Sequence, residues 1–308
     1  MDQDERLADR FEAHRAHLRT VAYGILGSIS EAEDAVQETW VRLSRTDVST
    51  VENLGGWLTT VVARVCLDML RRRSMRREEP IGLSVPEPIV SSAAGGAPEE
   101  EALMADSVGL ALMVVLHTLA PAERLAYVLH DIFGVPYQDI SPIVGRSPAA
   151  ARQLASRARR RVQESAPAPD PDLARQRELV DAFFAAAHAG DFEALVAVLD
   201  PAVVLHADHD PAAAVPGVPV KVTGARNVAE RALTFSRFAR FTRPVLVNGH
   251  VGVVVEPHGR PFSVIGFTVR EGRIVEIDVF AEPERLRRIG VVTSIRTGGG
   301  PGQMSWCP

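Results

Sequence analysis

The chain has 308 residues, with 46% hydrophobic and 24% charged side chains, which is typical of a soluble globular protein of two or three domains. Its net charge of -5 excludes wholesale attraction to nucleic acid, so any such contact must rest on local basic patches. Two cysteines, Cys66 and Cys307, are too few for a disulfide framework or a zinc site, and no apolar run is long enough to cross a bilayer. We therefore expect a cytoplasmic protein with no metal site, no cofactor and no membrane contact.

The N-terminal segment predicts two helices. Apolar residues recur at helical spacing from Leu7 to Leu26, and Ser30 with Glu33 fits a capping box that starts a second helix over residues 30–45. The outward side of the second helix carries four acidic residues, Glu31, Glu33, Asp34 and Glu38. Two interpretations remain open, because these acids either stabilise the positive end of the helix dipole or form a docking surface for a basic partner.

A third helix is predicted from Trp57, after a polar loop at residues 46–56. Its first turns are apolar, and arginines follow at 71–73, 76 and 77. These cations either keep the helix end in water or contact phosphates, and phosphate contact is the favoured interpretation. The next segment is rich in proline, glycine, serine and glutamate and is predicted to be a linker, with a stiff piece at Val85–Ile89 that could dock on another domain.

A predicted helix at 101–119 leads into residues 121–162, which predict a helix-turn-helix that reads DNA. Gly145 permits a sharp turn, and Ser147 followed by Pro148 is an N-cap with proline at the first helical position. The helix that follows has small apolar residues on one face and long hydrogen-bond donors on the others, although a solvated basic face would show the same pattern. The candidates for base contact are Arg152, Gln153, Ser156 and Arg157, and those for phosphate contact are Arg159, Arg160 and Arg161.

Beyond a second linker at 164–172 the pattern changes to α+β. Two helices, Leu173–Ala189 and Phe192–Leu199, precede six strand-like segments, of which the last four predict an antiparallel meander. The predicted strands are Val203–Ala207, Val220–Thr223, Pro244–Val247, Val251–Glu256, Phe262–Arg270 and Arg273–Phe280. Acid–base chemistry in this half would need an inward-facing histidine or aspartate, and the candidates are His206, Asp208, His209 and Asp278. No spacing pairs these groups, so no catalytic residue is assigned and a non-enzymatic role is expected.

Three segments of the N-terminal half together resemble the extracytoplasmic-function (ECF) sigma factors, which retain only regions two and four of a sigma factor. They are AEDAVQETWVRL at 32–43, WLTTVVARVCLDMLRRR at 57–73 and ASRARRRV at 155–162. The resemblance implies that a polymerase-binding set, Asp34, Gln37 and Glu38, grips the clamp helices of core RNA polymerase. It implies that the loop at 49–56 and the helix from Trp57 capture and melt the minus-ten promoter element, while 121–162 reads the minus-thirty-five element. The DNA-binding candidates are then Asn53, Arg64, Arg71, Arg72, Ser147, Arg152, Gln153, Ser156, Arg157, Arg159 and Arg160.

The C-terminal half is similar to the SnoaL-like cone of polyketide cyclases, in a sigma subgroup that carries such a tail. Two short motifs match that subgroup, VPEP at 85–88 in the linker and AEPERL at 281–286 after the last strand. The resemblance implies interdomain regulation through six residues, Pro86, Glu87, Pro88, Glu282, Pro283 and Leu286.

The expected fold is therefore multidomain, with two all-α sigma domains and a C-terminal α+β SnoaL-like cone. The expected ranges are 1–80 for region two, 81–105 for the linker, 106–165 for region four, 173–290 for the cone and 291–308 for a disordered tail. The expected partners are core RNA polymerase and promoter DNA, with a small-molecule ligand or an anti-sigma protein left open. Two alternatives remain at this point: a helix-turn-helix regulator that acts without polymerase, and a SnoaL-like enzyme that binds or converts a small molecule.

Overall fold

The N-terminal half of the protein is helical. The computed structural model describes residues 3–46, 51–76, 86–92, 109–165, 170–208 and 220–289. The helices of this half are α1 (Gln3–Leu26), α2 (Ile29–Leu43), α3 (Leu54–Arg76), α4 (Leu110–His117), α5 (Pro121–Tyr127), α6 (Tyr137–Val144) and α7 (Pro148–Ser165). A short π-helical segment, Val128–Ile132, extends α5. The helix expected at 101–119 is described only from its later part, because residues 93–108 lie outside the described residues.

Two helix starts differ from the sequence-based predictions. The N-cap of α2 is Ser28 rather than Ser30, since the Ser28 hydroxyl accepts a hydrogen bond from the Glu31 backbone N–H at 3.4 Å. Helix α3 begins at Leu54, three residues before Trp57, because Asn53 caps it through a 3.0 Å bond from the Gly56 N–H to its side-chain oxygen. For α2 the nearby Ser30 offers a competing capping signal, whereas for α3 the glycines at 55 and 56 have the composition of a loop.

The helix-turn-helix has the predicted local structure. Helix α6 ends at Gly145, which takes φ 69°, a left-handed conformation that glycine adopts at little cost. Ser147 caps α7, because its hydroxyl accepts the Ala150 N–H at 3.3 Å. The buried side of α7 consists of Ala151, Ala155, Ala158 and Val162.

The C-terminal half is a cone built on one curved sheet. Its elements are α8 (Leu173–Ala189), α9 (Phe192–Val198), β2 (Leu199–Ala207), β3 (Val220–Thr223), α10 (Ala225–Thr234), β4 (Thr242–Val247), β5 (His250–Val255), β6 (Ser263–Arg270), β7 (Arg273–Phe280) and α11 (Pro283–Arg288). The seven strands of the described residues, with β1 at Val90–Ser92, lie in the order β1-β4-β5-β6-β7-β2-β3, with β2 parallel to β7 and the other neighbours antiparallel. The α+β class and the meander from β4 to β7 are therefore confirmed.

The edge strand β1 (Val90–Ser92) belongs to the linker, not to the cone. It pairs antiparallel with β4, with Val90 opposite Val247 and Ser92 opposite Val245. The sequence predicted neither this strand nor α10, because a three-residue polar segment has no strand periodicity of its own. The linker thus completes the sheet by adding a strand to its free edge, a mode of recognition that uses main-chain hydrogen bonds.

Three apolar clusters hold the molecule together. The first combines residues of α1 to α3 with residues of α4 to α7, so regions that are separated in sequence share one core. The second fills the inside of the cone. The third joins Val114 of α4 to the outer face of the sheet, where Phe280 and Leu286 also pack. Because burial of such side chains is the main favourable term in folding, the described parts form a single compact arrangement.

Candidate functional site

The proposed polymerase-binding set lies on the outward face of α2. Asp34, Gln37 and Glu38 are all exposed, while their helical neighbours Ala35 and Val36 are fully buried. Glu38 pairs with Arg42 one turn away, with 2.9 Å between its carboxylate and the Arg42 Nε. A pair of this kind on an exposed helix is weak, so the carboxylate can exchange it for another cation.

The other two acids of α2 have structural partners. Glu31 lies 2.9 Å from the Arg73 guanidinium on α3, and Glu33 lies 2.8 Å from that of Arg19 on α1. Burial is the main cause that raises the pKa of Glu31, and the Arg73 charge opposes it. The acidic face predicted as one surface is therefore divided, and Glu31 and Glu33 hold the three helices together.

The minus-ten candidates lie along α3 and at its start. Arg64, Arg71 and Arg72 are exposed, and Asn53 is exposed although its side-chain oxygen caps the helix. Arg64 and Arg71 are seven residues apart, or about two helical turns, so they project from the same side of α3. Arg77, in the predicted basic run, lies outside the described residues.

Helix α7 presents two different groups of candidates. Arg152, Gln153, Ser156 and Arg160 are exposed, and the Arg152 guanidinium lies 5.4 Å from the centre of the Tyr137 ring. The remaining three arginines are ion-paired, although Arg157 and Arg161 are also exposed. Glu123 accepts from Arg157 at 2.8 Å and from Arg161 at 3.2 Å, and Asp131 accepts from Arg159 at 2.7 Å. Ser147 is exposed, but its hydroxyl is used as the cap of α7.

A buried arginine ties the two helical regions to each other. Arg124 of α5 is 4% exposed, and its guanidinium donates to the carbonyls of Ile25 at 3.2 Å and His117 at 3.0 Å. The imidazole of His117 packs against Gly27, where a Cβ would come within 2.0 Å of its Nε2. Burial, followed by the positive charge of Arg124, lowers the pKa of His117 well below its usual range, so this imidazole is neutral.

Glu87 of the VPEP motif contacts both region two and the cone, and it forms with Tyr23 and Asn248 a group of contacts that we call the hub. It is 8% exposed, and its backbone N–H donates to the Gly27 carbonyl at 2.9 Å. One of its carboxylate oxygens accepts the Ser28 hydroxyl at 2.8 Å. The other oxygen lies 3.2 Å from the Arg288 guanidinium of α11. The flanking residues Pro86 and Pro88 are buried as well, so the described part of the motif is docked.

Asn248 completes the hub from the cone. It lies in the β4–β5 turn at φ 48°, and it exchanges two hydrogen bonds with the backbone of Ile89, at 2.9 Å to Oδ1 and 2.8 Å from its own N–H. Its side-chain amide donates to the Tyr23 hydroxyl at 3.1 Å, and that hydroxyl donates to the Glu87 carbonyl at 2.8 Å. Tyr23 and Asn248 are both fully buried or nearly so, at 0% and 1% exposed. No sequence pattern singled out these two residues, because they lie 225 positions apart.

The AEPERL motif contributes only in part to the interdomain contact. Leu286 is 5% exposed and packs in the cluster that contains Val114 of α4. Glu282 and Pro283 are exposed, and the interdomain role expected of them stays a prediction. Asp208 holds the start of the motif instead, because it accepts the Ala281 N–H at 2.7 Å and pairs with Arg285 at 3.1 Å.

The acid–base candidates point away from the inside of the cone. Leu205, Ile277 and Val279 line the internal cavity, so the alternating residues His206 and Asp278 face the outer side of the sheet. There His206 lies 3.4 Å from Glu276 and borders a cleft that Val115 of α4 also lines. Asp278 is 1% exposed, and neither carboxylate oxygen has a hydrogen-bond partner among the described residues. Burial, followed by the Glu276 charge, raises the pKa of Asp278 well above its usual range. His209 lies outside the described residues.

The described part of the chain contains neither a membrane-spanning helix nor a cluster of metal ligands. No described helix is both long and apolar enough to cross a membrane. Within the same ranges, no group of three or more histidine, cysteine, aspartate or glutamate side chains is placed to hold a metal ion. Cys66 is fully buried, and burial raises the pKa of its thiol.

Comparison with known proteins gives the family. The model of sigma-70 region 2 matches residues 10–76, and that of sigma-70 region 4 matches residues 109–162. The probable ECF RNA polymerase sigma factor SigI of Mycobacterium tuberculosis is 36% identical over 287 residues, which cover 93% of this chain and 97% of SigI. SigJ of the same organism is 37% identical over 292 residues, or 90% of this chain and 92% of SigJ. The crystal structure of SigJ superposes with a TM-score of 0.73 and 33% identity, and it covers 91% of this chain and 98% of the SigJ chain. The chain therefore belongs to the ECF family of RNA polymerase sigma factors.

Proposed function

We propose that this sigma factor directs core RNA polymerase to promoters through three surfaces, in the cytoplasm where polymerase acts. Asp34, Gln37 and Glu38 bind the polymerase clamp. Asn53 and the arginines of α3 contact the minus-ten element, and the exposed residues of α7 read the minus-thirty-five element. On this proposal region two spans residues 1–80 and region four spans 106–165, while the cone at 173–290 regulates both.

One observation carries the regulatory part of this proposal. The two DNA-binding regions share a single core, with the Arg124 guanidinium donating to the Ile25 carbonyl. The cone holds the linker through Asn248, which bonds Ile89, and through Arg288, which pairs with Glu87. The minus-ten and minus-thirty-five elements are about 25 base pairs apart, which is roughly 85 Å along the DNA at 3.4 Å per base pair. Two regions in direct contact cannot reach both elements, so promoter binding requires this compact arrangement to open.

The linker has the length that opening requires. The chain from Arg76 at the end of α3 to Leu110 at the start of α4 includes the docked VPEP motif. A fully extended chain of about 33 residues spans roughly 110 Å, which exceeds the promoter spacing. The cone can shift the balance between the compact and open arrangements only because it binds the compact one better. Release of the linker from Asn248 and Arg288 of the cone is therefore the proposed step of activation.

Charge reversal on α2 tests the polymerase contact. The variant with Asp34→Lys and Glu38→Lys is expected to lose retention of core polymerase in a pull-down, together with run-off transcription, because the new cations repel a basic partner. A matched control is Glu193→Lys, which reverses an exposed acid on the cone. Equal retention of polymerase by the double variant and the control would reject this surface as the docking site.

Family membership identifies a transcription initiation factor, not an enzyme, and this disfavours both sequence-based alternatives. The outward orientation of His206 and Asp278 agrees with it, because groups on the outer side of the sheet cannot act on a molecule inside the cone. A helix-turn-helix repressor would also leave the exposed acidic residues of α2 without a partner.

A further inference from the structure

The cone carries a basic surface that lies outside the interdomain contacts. It consists of the 3-10 turn Ser236–Phe241, with Arg237 and Arg240, and of Arg260, which follows a second 3-10 turn, Pro257–Gly259. All three arginines are exposed, and none of them is ion-paired with a residue that the structure describes. We call this surface the arginine turn. Because the whole chain has a net charge of -5, the arginine turn is opposite in sign to the average of the protein.

Phenylalanine rings hold two of these arginines in place. The guanidinium carbon of Arg237 lies 4.8 Å from the centre of the Phe238 ring, and that of Arg240 lies 4.7 Å from the centre of the Phe241 ring. The Phe238 ring stacks in turn on the ring of Phe262, with 4.7 Å between their centres. A guanidinium that lies on an aromatic face keeps the N–H groups at its edge available for an anion. Such an arginine loses less side-chain freedom when the anion binds.

The spacing of the arginines suits a row of anions. A 3-10 helix has three residues per turn and rises about 2.0 Å per residue, so side chains three positions apart project from the same side. Arg237 and Arg240 have this spacing. Arg260 lies close to them, since the His258 ring two positions before it is 5.8 Å from the ring of Phe241. A guanidinium binds a phosphate by paired hydrogen bonds, and a DNA strand presents phosphates in a row.

The arginine turn lies at the far end of the cone from the hub. The hairpin of β4 and β5 turns at Asn248, which belongs to the hub, and its open end lies at Thr242 and Val255, beside the arginine turn. The six residues of β4 separate these ends by about 20 Å. The described elements that pack mainly against Ser236–Phe241 are α8, α10, β5 and the second 3-10 turn, all of the cone. Opening of the compact arrangement therefore leaves this surface unchanged.

We propose that the arginine turn binds the phosphate backbone of duplex DNA, as a contact of the cone that does not depend on sequence. The observations favour DNA over an anionic membrane, because stable membrane binding also needs exposed apolar side chains. Among the described residues the large apolar side chains that are exposed are Val41 and Leu173, and neither lies on the arginine turn. In a promoter complex the linker would hold the cone near the DNA, so a weak contact would act at high effective concentration. That gain rests on the proposed function, whereas binding to a duplex does not.

Two matched double variants of the full chain test the proposal. The test variant is Arg237→Gln with Arg240→Gln. The control is Arg177→Gln with Arg226→Gln, which removes two exposed arginines from α8 and α10 of the same cone. Binding to a random-sequence duplex is measured by fluorescence anisotropy between about 50 and 200 mM salt. The test variant should lower the slope of log K against log salt by about 1.8, or about 0.9 for each phosphate contact, and the control should leave the slope unchanged.

Three results would overturn the proposal. They are no binding of the duplex by the wild type, the same slope for the wild type and the test variant, and the same loss of slope in the control. Binding of the wild type to anionic phospholipid vesicles but not to the duplex would make this surface a membrane contact instead. If the test variant does not melt cooperatively, Arg260→Gln supplies the test, with an expected loss of about 0.9 in the slope. Run-off transcription by the wild type is measured separately, so absence of duplex binding leaves the sigma activity standing.

Discussion

Replacement of Asn248 by glycine would release the linker from the cone at a single point. The Asn248 side chain accepts the buried Ile89 N–H at 2.9 Å and donates to the Tyr23 hydroxyl at 3.1 Å. Glycine keeps the left-handed backbone of this turn without strain, so Asn248→Gly removes the side-chain bonds and little else. A buried N–H without a partner costs about 1–3 kcal/mol. The equilibrium for opening of the linker should then increase by roughly 5- to 150-fold.

Hydrogen exchange measures this opening directly. Amides of Ile89–Ser92 should exchange faster in Asn248→Gly by the same factor, because they are protected by Asn248 and by pairing with β4. Amides of β6 serve as an internal control, since that strand lies inside the sheet between β5 and β7. An equal increase in the exchange rates of β6 would mean that the whole cone is destabilised. Unchanged exchange rates at Ile89–Ser92 would refute the role of Asn248 in holding the linker on the cone.

Removal of the Tyr23 hydroxyl tests the hub from the side of region two. Tyr23→Phe keeps the buried ring and removes the bonds to the Glu87 carbonyl and to the Asn248 amide. Because the two residues are in contact, the effects of Tyr23→Phe and Asn248→Gly should be less than additive in the double variant. Both single variants should increase run-off transcription with core polymerase if the compact arrangement is the inactive one.

Three further predictions concern the stability and the DNA contacts of the molecule. Arg124→Lys should lower the midpoint of urea unfolding, because lysine cannot donate to both the Ile25 and the His117 carbonyl. The loss of one charged hydrogen bond costs about 1.5–3 kcal/mol. Arg226→Lys, at an exposed position, is the control, and equal midpoints for the two variants would contradict the bridging role. Asp278→Asn should stabilise the protein more at pH 8 than at pH 5. The pKa of Asp278 is raised in the folded state, so the stability that its protonated form contributes is fully present below the unfolded pKa of about 3.9. This stability is lost as the pH rises through the folded pKa, by up to about 1.4 kcal/mol per pH unit. An equal gain in stability at both pH values would show that Asp278 is already ionised. In the polymerase holoenzyme, Gln153→Ala should relax discrimination at one base pair by about 1–3 kcal/mol. Arg160→Ala should instead weaken binding to all promoters and reduce the salt dependence of binding by about one phosphate contact. Loss of sequence specificity in Arg160→Ala would reverse these assignments.

Local signals predicted the helical half well. The turn of the helix-turn-helix follows from Gly145 and from Ser147 with Pro148, which act on the backbone within a few residues of themselves. The start of α2 was misplaced because Ser28 and Ser30 both fit the capping position, and that of α3 because Gly55 and Gly56 resemble a loop although Asn53 caps the helix before them. The alternation of apolar and polar residues predicted the strands of the meander. The observed strand ends differ from the predicted ones by at most two residues.

The face of the sheet on which a strand side chain lies depends on the register of the strand, and the sequence alone does not determine this register. A shift of one residue exchanges the two faces of a strand, and this decides whether His206 and Asp278 lie inside or outside the cone. Strand β1 exists because β4 offers a free edge to a segment that would not form a strand alone. Which α7 arginines are ion-paired likewise depends on the positions of Glu123 and Asp131.

By itself, the sequence determined the family and the order of the regions, because these rest on local patterns of helix, turn and charge. It also supplied the residues that are proposed for the polymerase and DNA surfaces. Only the tertiary structure revealed the hub in which Glu87, Tyr23 and Asn248 join linker, region two and cone. Its members are 64 and 225 positions apart, and hydrogen bonds across such separations form only after the chain has folded.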